Sequence, residues 1–262
     1  MATTTERETQ GHDHGELVLS YLAVRQCLGL LGLSLPLSLY LYARLFGGVM
    51  QPSISEFYYT AMGDWLVGTL FAIGVFLFAY KGYATRPPRL WFSDREAGRA
   101  AGLFVIAVAL FPISADKALA LCRLGSETAR CANFATDVTT QSALWVTGFF
   151  GHPDALHLAA ALGFLACLAY FCLVLFPMGG ARSASGRPAL SREHLTYYFC
   201  GAMILLGIAM ILVYFLVDPQ THARMQAGNW LFWWETLAVV AFSLSWLTKG
   251  RFLAHPFGLR RG

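Results

Sequence analysis

Residues 195–217 read LTYYFCGAMILLGIAMILVYFLV, a run of 23 residues without a charge. A helix of that length rises roughly 35 Å at about 1.5 Å per residue, enough to cross a hydrocarbon core about 30 Å thick. This stretch is a membrane-spanning helix, and five other apolar runs stand beside it, at about 19–46, 64–80, 97–121, 154–176 and 230–248. Pro36 falls inside the first and should kink it, since it removes one backbone donor. The expected fold class is therefore all-α, a polytopic six-helix transmembrane bundle.

Composition agrees. Hydrophobic residues make up 56% of the chain and charged ones only 13%, against about 25% charged in a soluble domain. The charges that remain are sorted. Fourteen of the nineteen Lys and Arg residues fall on alternate connections, and the other side holds only Arg44, Lys117, Arg123, Arg130 and Arg224. Positively charged loops stay cytoplasmic, so both termini are expected inside, N-in and C-in. The net charge of +4 follows from these juxtamembrane residues, which argues against a nucleic-acid partner.

No Gly/Ser-rich or Pro-rich linker divides the chain, so one domain is expected over 19–250. It is flanked by a polar, disordered cytoplasmic tail at 1–18 and a basic tail at 251–262. The first segment has no basic cluster before an apolar core and is not read as a signal peptide. Its His12, Asp13 and His14 belong to a solvated tail, because three flexible ligands would pay a large ordering cost on binding a metal. Gly29 and Gly32, Gly68 and Ala72, and the pair Ala159 and Gly163 are spaced for close helix approach.

Of six cysteines, Cys27, Cys167, Cys172 and Cys200 lie within spans as small bundle-filling side chains. Cys122 and Cys131 flank CRLGSETARC on the outer side, where an oxidising compartment favours a disulfide closing the short loop.

Ionisable groups gather toward the outer side. Asp64 opens the second helix, Asp116 lies near the outer end of the third, His157 sits about one turn into the fourth, and Glu235 sits about 9 Å below the start of the sixth. A carboxylate in a span is costly unless it is paired or faces a wet cavity, which makes Glu235 the strongest single candidate. Each group also has a structural reading. Asp64 and Asp154 complement helix N-termini, Asp116 and Lys117 suit an interface, and His157 can be a hydrogen-bonded core histidine. The connection before the second helix, PSISEFYYTAMGDW (52–65), holds Ser53, Ser55, Tyr58, Thr60 and Trp65. An aromatic interface belt explains its rings but not its hydroxyls, which suggest a hydrogen-bonding loop folded over the outer mouth. The candidate pocket is thus Ser53, Ser55, Tyr58, Thr60, Asp64, Asp116, His157 and Glu235.

The runs PSISEFYYTAMGDWLVGTLFAIGVFLFAYKGY (52–83), VALFPIS (108–114), HLAAALGFLACLAYFCLVLF (157–176) and WWETLAVVAFSLSWLTKG (233–250) resemble a family of bacterial six-helix membrane proteins of unknown function. In its usual pattern a His stands at the place of Tyr59 and an Arg at that of Gly63, while Ser53, Ser55, Tyr58, Thr60, Asp64, His157 and Glu235 match. The resemblance implies the fold and the bacterial inner membrane, and brings no activity.

The expected function is binding of a lipid, small ligand or partner protein at an outward-facing polar pocket, with no cofactor. Two other classes stay open. A metal-dependent intramembrane hydrolase, by analogy with ceramidase-type zinc amidases, would need Zn held by His152, His157 or His222, yet neither HxxxH nor HExxH spacing occurs. A proton-coupled transporter would use Glu235 and His157 as a relay, although no repeat or broken-helix pair supports it.

Overall fold

The computed structural model describes residues 3–48, 50–80, 82, 92–113, 153–178 and 192–252. Among them the secondary structure is helical, with no strand: α1 (Thr3–Leu45), a 3-10 segment (Ser55–Tyr59), α2 (Gly63–Ala79), α3 (Asp94–Leu110), α4 (Pro153–Tyr170, continuing through a π turn at Phe171–Leu175 to Phe176–Met178), α5 (Arg192–Leu216), α6 (Pro219–Ala227) and α7 (Trp230–Lys249). Four stretches are long and apolar enough to span a membrane, Tyr21–Leu45, Asp154–Met178, Arg192–Leu216 and Trp230–Lys249. Cys122, Cys131, Asp116 and His152 lie outside the described residues.

The long helices form a closed ring. Each of α1 to α5 packs on the next in sequence, α5 packs on α7, and α7 closes back onto α1. A fully buried aromatic cluster fills the ring toward one end. Trp246 is 0% exposed, and its ring lies 5.2 Å from Tyr80, 5.3 Å from Phe176, 5.4 Å from Phe171 and 5.9 Å from Phe242. Nearby, Gln26 Nε2 donates to the Gly250 carbonyl at 2.7 Å and ties α1 to the end of α7. The outward faces of the ring stay apolar, with Leu195, Phe199 and Leu216 on α5 and Leu103 on α3 exposed, as suits a surface solvated by lipid.

Helix limits follow local chemistry. Backbone helix extends back to Thr3, where a disordered tail through residue 18 is expected from composition; lengthening an existing helix adds one bond per residue without the nucleation cost. α3 begins at a capping box, Ser93 Oγ accepting from the Glu96 N–H while Glu96 Oε2 accepts from the Ser93 N–H. It stops at Leu110 rather than near Leu121, because Pro112 disfavours helical geometry at Phe111, whose ψ is 83°. α6 interrupts an expected plain connection: Asp218 caps it by accepting from the N–H groups of Gln220 and Thr221, with Pro219 at its first position. The Thr221 side-chain hydroxyl, followed by these backbone N–H groups, holds the Asp218 carboxyl below the usual carboxylate range. In α4 the π turn precedes Pro177 and makes room where proline crowds the preceding turn.

Glycines set the closest crossing. An added methyl at Gly102 would fall 2.6 Å from the Gly74 carbonyl oxygen, and one at Gly98 would fall 2.8 Å from that of Leu77, so α2 and α3 touch backbone to backbone. Gly29 and Gly32 likewise approach α7, meeting Leu247 and Ser243, whereas Gly68 meets nothing within 4 Å and so does not share the expected role. Substituting alanine at Gly102 should therefore lower stability by about 1–3 kcal/mol, the usual cost of forced backbone shifts. Alanine at Gly68 should be neutral or stabilising, given its helix propensity. Thermal unfolding of the two variants in one detergent gives the comparison.

Candidate functional site

The connection from α1 to α2 is folded onto the end of the bundle. Its apolar residues Ile54 and Phe57 are buried against Leu35 and Leu39 of α1, Leu66 of α2 and Phe232 of α7. Phe57 and Phe232 stack with centroids 5.9 Å apart. Polar bonds then fix the loop's height. Asn229 turns the chain into α7 in the left-handed region (φ 52°), a conformation asparagine tolerates. The first N–H groups of a helix lack partners within it, and Phe232 spends its own on the Pro52 carbonyl at 2.8 Å. One turn deeper, Glu235 Oε2 accepts the Ile54 N–H at 2.6 Å.

The next loop residue is held from another side. Ser55 Oγ lies 2.8 Å from His157 Nε2, and His157 Nδ1 lies 2.7 Å from the Phe111 carbonyl. That carbonyl stands just past the last turn of α3, where helix carbonyls have no partner of their own. Tyr59 donates to the Ile113 carbonyl. Inside the loop, Ser53 Oγ accepts from the Glu56 N–H at 3.2 Å. Thr60 Oγ1 donates to the Phe57 carbonyl at 2.8 Å and accepts from the Met62 N–H at 3.1 Å. Of the hydroxyls singled out in the sequence, those of Ser53 and Thr60 thus serve as turn bonds within the loop. Beneath the loop lies a void of about 10 Å³, lined by Ser55, Tyr58 and His157 on its polar side and by Leu66, Val67, Leu70, Val108, Ala109 and Pro112 elsewhere. That is room for about one water.

His157 and Glu235, from α4 and α7, therefore meet consecutive residues of one loop rather than an open cavity. Asp64 does not join them. It sits exposed in the first turn of α2, where it complements the helix dipole. His222, on α6, stacks against Tyr214 at 4.3 Å. Among the described residues no three His, Cys, Asp or Glu side chains gather as a metal-ligand set, and both ring nitrogens of His157 are engaged. The four described cysteines are free thiols.

Sequence reasoning passed over Glu56, Gln51 and Phe111. Glu56 and Gln51 are buried, each 6% exposed. Glu56 was detectable as the only acidic residue of the connection between Arg44 and Asp64. Nothing in a sequence marks a backbone carbonyl such as that of Phe111. No family model matches the chain, and comparisons with curated proteins and with solved structures likewise find no match.

Proposed function

We propose that this chain crosses a bacterial cytoplasmic membrane six times, with both ends inside, and binds a membrane lipid at its outward end, against the loop 51–62. The observation that carries the reading is the meeting of Glu235 and His157 on the adjacent residues Ile54 and Ser55, beside a void that is polar on one wall and apolar on the others. A polar group facing a hydrocarbon lining suits the ester region of a lipid better than a wholly polar solute. Six crossings are supported by the closed ring, which sets the shorter α2 and α3 between helices long enough to span. The orientation is supported by the sorting of basic residues.

Two measurements test this. In a cysteine-free background, single cysteines at Ala61 and Gln220 should react with a membrane-impermeant maleimide on intact cells, and one at Ser185 should not; reaction at 185 overturns the topology. Phosphatidylglycerol in mixed micelles should raise the unfolding temperature saturably, as a ligand of the native state does, and His157→Ala should reduce the rise. No stabilisation by phosphatidylglycerol, phosphatidylethanolamine or cardiolipin overturns the lipid site.

A further inference from the structure

One cation stands apart from both the loop and the sorted charges. Arg44 lies in the last turn of α1, on the side that holds few of the nineteen basic residues, against the usual placement of positive charge. It is exposed. Among the described residues its guanidinium meets no carboxylate and rests instead over the Tyr40 ring, 5.5 Å from the centroid. The two residues are one helical turn apart and so share a face. A cation over an aromatic ring is held in place without being neutralised.

Tyr40 in turn reaches across to α7. Its ring lies 5.7 Å from that of Trp233, which is half-exposed. Tyr and Trp favour the headgroup level of a bilayer, so this pair sets Arg44 at the height of the lipid phosphates. Below the pair the seam between the two helices is apolar. Leu41, Leu37 and Leu33 stay exposed along α1, as does Leu244 on α7. From Arg44 back to Leu33 the row runs roughly 17 Å at about 1.5 Å per residue. That is close to half of a hydrocarbon core about 30 Å thick, the depth of one leaflet.

We propose that the seam between α1 and α7 holds one phospholipid, its phosphate on Arg44 and an acyl chain along Leu41, Leu37 and Leu33. The topology proposed above makes this a lipid of the outer leaflet. The site goes beyond the lipid reading at the loop, since it uses neither His157 nor Glu235 and names the headgroup chemistry. Arg44 offers a planar fork of N–H donors, and two parallel charge-assisted bonds to one phosphate are stronger than neutral ones. A free phosphate would meet the fork but leave the leucines uncovered. A ligand with an anionic head and an apolar tail satisfies both.

Native mass spectrometry of the full-length protein released from detergent counts the lipid it retains. The wild type should keep phosphatidylglycerol in preference to diacylglycerol, which has the same chains and no phosphate. Arg44→Gln should lower phosphatidylglycerol retention about fivefold, the share of one basic side chain at an anionic lipid surface, and Arg44→Lys should lower it less. Because Arg44 is exposed, both variants should unfold at the wild-type temperature. A phosphatidylglycerol with a photoreactive acyl chain should cross-link between Leu33 and Arg44 or between Trp233 and Leu244. Equal retention by the wild type and Arg44→Gln overturns the proposal, and diacylglycerol retained as well as phosphatidylglycerol removes the phosphate from it. Inorganic phosphate that stabilises the wild type as much as phosphatidylglycerol does would make the ligand the free ion and overturn the lipid. Retention lost in His157→Ala but kept in Arg44→Gln, with cross-links confined to the loop 51–62, overturns the seam and leaves the loop reading standing. The reverse pattern upholds the seam and removes the loop site.

Discussion

Alanine at Trp246 should destabilise the bundle by about 3 kcal/mol, the low end for removing a buried tryptophan. The low end applies because lipid is as apolar as the core, so the transfer part of the usual cost shrinks and lost packing remains. That packing is extensive: four aromatic rings surround the indole at 5.2 to 5.9 Å, contributed by Tyr80 at the end of α2, by α4 and by α7 itself. Phenylalanine at the same position should cost less than half as much. Among the described residues the indole Nε1 has no hydrogen-bond partner, so its loss forfeits volume and no bond there. Unfolding in a graded denaturing detergent measures both, and equal costs for the two variants would contradict the packing account.

The second large effect is expected at Glu235. Leucine there would leave the Ile54 N–H, on a residue only 6% exposed, without the acceptor it now has. A buried donor stripped of its partner costs about 1–3 kcal/mol. The carboxylate caps the backbone of the loop. Hydrogen exchange at Ile54 to Thr60 should accelerate about tenfold or more in Glu235→Leu, since about 1.4 kcal/mol corresponds to a factor of ten. It should accelerate less in Glu235→Gln, whose amide oxygen still accepts. Unchanged exchange in the leucine variant would show that the Glu235 bond does not hold the loop.

Much of the helical arrangement is legible in the apolar runs, because crossing a bilayer demands lengths that nothing else in a chain demands. The spans through α4, α5 and α7 begin and end within a few residues of their expected limits. The discrepancies fall where a single residue overrides hydropathy. Pro112 ends α3 early, and Asp218 followed by Pro219 starts α6 in what composition presents as a plain connection. The site was half legible. Cost alone picks out His157 and Glu235 as worth explaining, and the hydroxyl-rich loop as unusual. What each touches depends on rotation about the helix axis, and helices apolar all round carry no periodicity that fixes it. The partners are moreover main-chain atoms, at Ile54 and Phe111, which every residue possesses and no sequence distinguishes.

The closure of the ring by α7 on α1 bears on how the protein is made. Ribosomes deliver α1 before α7, so the seam at Gly29 and Gly32 waits unfilled while α2 to α6 are made. The α1–α2 loop waits with it, for Phe232 and Glu235 leave the exit tunnel long after the loop does. A chain stalled before Trp230 would expose in the bilayer an uncovered face of α1 and an untied loop. That is the form in which an orphaned nascent chain would present itself to membrane proteases.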